Sequence, residues 1–189
     1  LLSVYIDFFR STPMMVQAMV FYYGLAALGM TLPKLTAGLI VVSVNTGAYV
    51  SEIVRGGIVS IDKGQFDAAR SLGLSHFDTM KSIVLPQVIR NILPACANEF
   101  IVNVKDTSVL SVISVTELFF TTKTIAGSNF LFAEAYLVTT FIYLLMTITI
   151  TKTLRGIEKR MDGPRDFKLV ANQMQLLNSD DILEQNRIV

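Results

Sequence analysis

A single histidine, His76, and a single cysteine, Cys96, are all the imidazole and thiol available to this chain. Neither builds a metal site alone, and a thiol inside an apolar run has no internal disulfide partner. No G-x-x-x-x-G-K-[ST] phosphate loop occurs in the sequence. What could act on a solute is a set of polar groups in apolar surroundings: Asn45, Thr46, Asn98, Glu99 and Asn103. Most such groups bond across helices for about 0.6 kcal/mol each, and one or two are expected to face a solute. A carboxylate near mid-bilayer costs roughly 2.5–3.5 kcal/mol on insertion scales, so Glu99 needs a partner or water. Two readings stay open for it: an ion pair, for instance with Lys105, or a carboxylate lining a pathway and attracting an ammonium group. Glu52 is expected to pair with Arg55, and Glu134 to be hydrated near the outer end of the last helix.

These groups sit in a chain that is 52% hydrophobic and 16% charged, with a mean hydropathy of +0.53. That is too apolar for an ordinary soluble domain of this length. The net charge of +1 gives no reason to expect nucleic acid as a partner. The expected architecture is all-α, a polytopic membrane helical bundle with about four spanning helices, at 14–33, 35–55, 88–104 and 130–152. Residues 107–121 are apolar but short and β-branched, and read as a partly inserted or packed external segment, not as a crossing. Phe21, Tyr22 and Tyr23, with Met14, Met15 and Met19, read as packing or lipid-facing residues. Residues 1–160 form the transmembrane domain, and 161–189 a polar cytoplasmic tail, loosely helical or disordered. With Arg10 on the cytoplasmic side, only Lys34, Lys105 and Lys123 lie outside, so the positive-inside rule favours this orientation. The loop 56–87 then belongs to the cytoplasm.

That loop has a readable construction. A short helix over 65–72 would align Phe66, Ala69 and Leu72, and Gly73 is placed to stop it with a positive φ. Ser75 and Asp78 offer a capping box for a second helix carrying Phe77, Met80, Ile83 and Val84 at helical spacing. Pro86 and Pro94 would bend or restart it.

Asp67-Ala68-Ala69, then three residues, Gly73, then nine residues and Ile83-Val84-Leu85-Pro86, resemble the EAA loop of permease subunits in bacterial ABC importers. Phe9-Arg10-Ser11-Thr12-Pro13-Met14-Met15-Val16-Gln17 is similar to the F-R-G-T-P-L-L-V-Q segment of the polar amino acid subgroup. Ala48 to Ile58, Asn98 to Ile101 and Lys105 to Ser108 look like further segments of it, so the resemblance runs from about Tyr5 to about Arg160.

The resemblance implies a type I permease fold in the bacterial inner (plasma) membrane: a half-channel without chemistry or cofactor of its own. Its implied partners are a second permease subunit, identical or a sister chain, two ATP-binding cassette subunits that hold ATP and Mg, and an extracytoplasmic solute-binding protein that delivers an amino acid. Phe66, Asp67, Ala68, Ala69, Gly73, Ser75 and Pro86 would couple to the ATPase. Three departures stand out: aspartate at 67 where the family has glutamate, serine at 11 for glycine, and one N-terminal span fewer before Phe9. An ion-gradient-driven secondary carrier is the rival; it predicts internal inverted repeats, and none is visible.

Overall fold

The computed structural model of the chain describes residues 2–161; the expected tail falls outside them, apart from the helical backbone of Met161. Two compact units emerge, Leu1–Arg155 and Gly156–Val189. The first contains every element that builds the sites below; in the second, residues 156–161 are helical.

Eight α-helices are described: α1 (Leu2–Ser11), α2 (Met14–Ala27), α3 (Lys34–Val59), α4 (Lys63–Ser71), α5 (His76–Thr79), α6 (Leu85–Asp106), α7 (Leu118–Asn129) and α8 (Phe132–Met161). A π turn, Met80–Val84, joins α5 to α6, and a 3-10 segment, Thr107–Ile113, follows α6.

By length and composition α3 and α8 suffice to cross a bilayer. A third crossing is available from His76–Ile113 together with Leu118–Asn129, which bend by 54° at their break. The span expected over 14–33 is helical only over Met14–Ala27, 14 residues where about 20 would be needed. Gly29 is the reason. At φ +79° it lets the Met30 amide reach back to the Leu25 carbonyl, which closes the helix with a Schellman turn. The span expected at 35–55 runs on to Val59, and the last one begins at Phe132 and continues beyond 152.

Two apolar cores hold these elements. Ala18, Ala37, Val41, Leu110, Ile113 and Val115 bury together, joining α2 and α3 to the 3-10 segment, so 107–121 is packed into the molecule. Ile61, Val84 and Val88 form the second core, with Ile58, Phe66, Met80 and Ile92 against it. This second core binds the polar loop to the end of α3 and the start of α6. Each fully buried aliphatic side chain contributes about 1.5–3 kcal/mol, enough to make the loop one body with both helices.

Inside the loop, Gly73 has φ +77°, with the Leu74 amide on the Ala69 carbonyl, as its spacing predicts. Ser75 Oγ accepts from the Asp78 amide at 3.2 Å, while the Asp78 carboxylate accepts from the Ser75 hydroxyl rather than from a backbone N–H. The ridge is only partly inward: Ala69 and Val84 are buried, but Leu72 and Phe77 are 79% and 71% exposed. Nor does Pro86 break the chain. Lacking an N–H for the Ser82 carbonyl, it is accommodated by the wider turn before it, where the Leu85 amide reaches Met80. Helix α6 continues through Pro94 as well.

Gly57 is where α3 and α6 meet most closely. A Cβ there would lie 2.2 Å from Ile92 Cγ2 and 3.2 Å from Val88 Cγ1, whereas one on Gly56 would meet nothing within 4 Å. Gly57→Ala is therefore expected to cost about 1–3 kcal/mol through overpacking, and Gly56→Ala almost nothing. Thermal unfolding of both variants in detergent checks this; equal midpoints would contradict the close packing.

Candidate functional site

Three elements converge on a polar cavity of ≈ 380 Å³. Arg10 and Ser11 come from the end of α1, Thr12 and Pro13 from the break after it, and Met14 from the start of α2. Asn45 and Tyr49 come from the middle of α3, one turn apart. Glu99, Val102, Asn103 and Asp106 come from α6, at spacings of three, four and seven that put them on one face. The Arg10 guanidinium carbon lies 5.5 Å from the centroid of the Tyr49 ring, a cation–π geometry. One guanidinium thus shares the cavity with two carboxylates.

Of the five polar candidates, Asn45, Glu99 and Asn103 line this cavity. Thr46 stands behind it, its hydroxyl donating to Asn103 Oδ1 at 3.1 Å. Asn98 is exposed and does not line it. Glu99 forms no pair with Lys105: among the described residues the ion pairs are Arg55 with Glu52 and Arg70 with Asp67. Six residues on a helix amount to about 600°, which puts Lys105 on the wrong side. The expected Glu52–Arg55 pair does form, with Arg55 Nε donating at 2.9 Å.

Sequence reasoning missed Arg10, Tyr49 and Asp106. The i, i+4 and i, i+7 spacings of Tyr49 to Asn45 and of Asp106 to Glu99 were a usable signal. Gln17 was missed too. It is buried beside the cavity, donating through Nε2 to the carbonyls of Phe9 and Thr12, both at 3.0 Å, and to Thr12 Oγ1 at 2.7 Å. Asn45 Nδ2 donates to Gln17 Oε1 at 2.9 Å and to the Phe9 carbonyl at 3.2 Å.

The second region of interest is the loop surface. Asp67 is 74% exposed and 3.9 Å from Arg70, a solvated contact worth no more than about 0.5 kcal/mol, which leaves its carboxylate available. Ala68 is exposed. Ala69 is buried within the chain. Phe66 likewise packs inward. Ser75 caps α5, and Pro86 shapes the turn into α6. The most exposed apolar residues of the loop are Leu72 and Phe77, on either side of the Gly73 turn.

Residues 1–163 match the family described as "Binding-protein-dependent transport system inner membrane component". The chain is 37% identical over 160 residues to the glutamine transport system permease protein GlnP of Escherichia coli (strain K12), covering 84% of this chain and 73% of that protein. It is 34% identical over 158 residues to the arginine transport system permease protein ArtQ of Bacillus subtilis (strain 168), covering 83% and 72%. Among solved structures it resembles a crystal structure of an amino acid ABC transporter with histidines, at 42% identity and a TM-score of 0.79, over 84% of this chain and 74% of that one.

Proposed function

Because the chain belongs to the family of binding-protein-dependent transport system inner membrane components, we propose that it is the membrane-spanning permease subunit of an ATP-driven bacterial importer of amino acids. It is a transport subunit and not an enzyme. It works in the inner membrane beside a second permease subunit, and a solute-binding protein outside delivers the amino acid. Two ATP-binding cassette subunits carry ATP and Mg.

The observation that carries this reading is the two-sided build of the loop. One side is joined to α3 and α6 by Ile61, Val84 and Val88, while the other presents Leu72 and Phe77 around a tight turn. Large apolar side chains held outward on a rigid support mark a docking surface, and a cleft on the ATPase is the occupant. Closure of the nucleotide sites would move such an element as a unit, because packed interfaces shift between discrete arrangements instead of deforming. The displacement passes directly into α3 and α6, which carry Asn45 and Glu99. ATP drives the cycle only by binding the two arrangements with different affinity.

The cavity is the solute path. Arg10 suits a carboxylate, and Glu99 and Asp106 suit an ammonium group, each through charge-assisted hydrogen bonds. Asn45 and Asn103 complete the lining, and Thr46 supports Asn103.

Crosslinking tests the docking. In a Cys96→Ser background, Leu72→Cys and His76→Cys are expected to capture the ATPase subunit of an active complex, and Lys123→Cys, on the opposite side, to capture none. Loop positions that never reach the ATPase would overturn the coupling role.

A further inference from the structure

Pro13 has no N–H, so the Phe9 carbonyl four residues earlier has no helical donor. Two side-chain amides turn toward it instead: Gln17 through Nε2 and Asn45 through Nδ2. Main-chain carbonyls only accept hydrogen bonds, and this fixes which way both amides face. Gln17 must turn its nitrogen to the carbonyls of Phe9 and Thr12, which leaves Oε1 toward Asn45. Asn45 in turn must give one N–H to Gln17 and the other to Phe9. Both of its donors are then spent away from the cavity. What Asn45 can offer a solute is its carbonyl oxygen.

We propose that Gln17 is a positioning residue that sets the polarity of the cavity: by holding the Asn45 nitrogen turned away, it makes Asn45 a hydrogen-bond acceptor for the ammonium group of the solute. Without Gln17 the Asn45 amide loses the shorter of its two bonds and is held only by the one at 3.2 Å to the Phe9 carbonyl, so it turns more readily to present a donor, which an ammonium group cannot use. The proposal rests on the cavity being the solute path, and the test separates the two.

The assembled transporter is placed in nanodiscs without its binding protein, and a panel of tritiated L-amino acids is titrated; the tightest binder serves as the probe. Asn45→Leu is expected to weaken binding tenfold or more, and Gln17→Met three- to tenfold. The double variant should bind no more weakly than Asn45→Leu, since Gln17 acts through Asn45. A parent that binds no amino acid, or an Asn45→Leu variant that binds like the parent, removes the cavity from the path and the proposal with it. Weakening by Asn45→Leu alone, or effects that add fully in the double variant, overturns the role of Gln17 while leaving the path in place. Gln17→Met leaves the Thr12 carbonyl unpaired, so pull-down stoichiometry checks that the variant assembles, and a des-amino analogue of the probe, titrated as a competitor, supplies a second arm. The analogue has no ammonium group for Asn45 to accept from, so Gln17→Met should bind it as the parent does; an equal loss for probe and analogue overturns the acceptor assignment.

Discussion

Replacing Gly73 by valine is expected to abolish the stimulation of ATPase activity by solute-loaded binding protein, a loss of tenfold or more, while asparagine at the same position retains most of it. The space around Gly73 is open, with nothing within 4 Å of where a Cβ would stand. A clash with neighbours is therefore not the cause. The cause is the backbone: φ is +77°, a region that costs an L-residue roughly 1–2 kcal/mol, that asparagine and aspartate tolerate, and that β-branched residues almost never enter. Valine would force the Ala68-to-Leu74 turn to open and swing Leu72 away from Phe77, while the second core keeps the rest of the loop on α3 and α6. Gly73→Asp falls between the two, keeping the turn but adding a carboxylate to the docking face. Reconstituted vesicles give the stimulated ATPase rate, and pull-down stoichiometry shows whether the subunits still assemble. Full stimulation of the valine variant would sink the coupling role of the turn.

The same turn shows what a local pattern can disclose. The Gly73 turn and the Ser75 cap are local, so residue type and spacing suffice; the turn and the serine half of the capping box form as expected, while the Asp78 carboxylate bonds the Ser75 hydroxyl instead of a backbone N–H. The second core was half legible, because helical periodicity marks an apolar stripe without saying how far round the helix the neighbours reach; Leu72 and Phe77 lie on the stripe yet outside the contact. The π turn was not legible. It follows from Pro86 lacking a donor in a helix that tertiary packing nevertheless holds continuous. The cavity was the least readable part. Asn45 and Glu99 were found as polar residues in apolar runs, but Arg10 is brought to them by the break at Thr12 and Pro13. The Gln17–Asn45 bond spans 28 residues and Thr46–Asn103 spans 57. Pairings over such separations belong to the packed bundle and leave no mark in local sequence.

The charges in that cavity lead to the second large effect. One guanidinium, Arg10, faces two carboxylates, Glu99 and Asp106, so the lining carries an excess negative charge and should favour a solute with a net positive one. Geometry adds a constraint: Asp106 lies about 10 Å along α6 from Glu99, at 1.5 Å per residue, too far for one ammonium group to bridge. Each carboxylate then meets a different cationic group, and removing the charge of Glu99 is not made good by Asp106. Two unit charges 4 Å apart interact by about 4 kcal/mol at an effective dielectric of 20, so even partial loss exceeds the 1.4 kcal/mol that makes a tenfold change. Glu99→Gln, nearly isosteric, is expected to reduce uptake of cationic amino acids tenfold or more and that of neutral ones by no more than about threefold. Competitive uptake of labelled lysine and glutamine into vesicles containing the whole transporter measures both. Equal uptake of the two by mutant and parent would take Glu99 off the path, and a parent that carries only neutral amino acids would show that Arg10 and the asparagines, not the carboxylates, decide what passes.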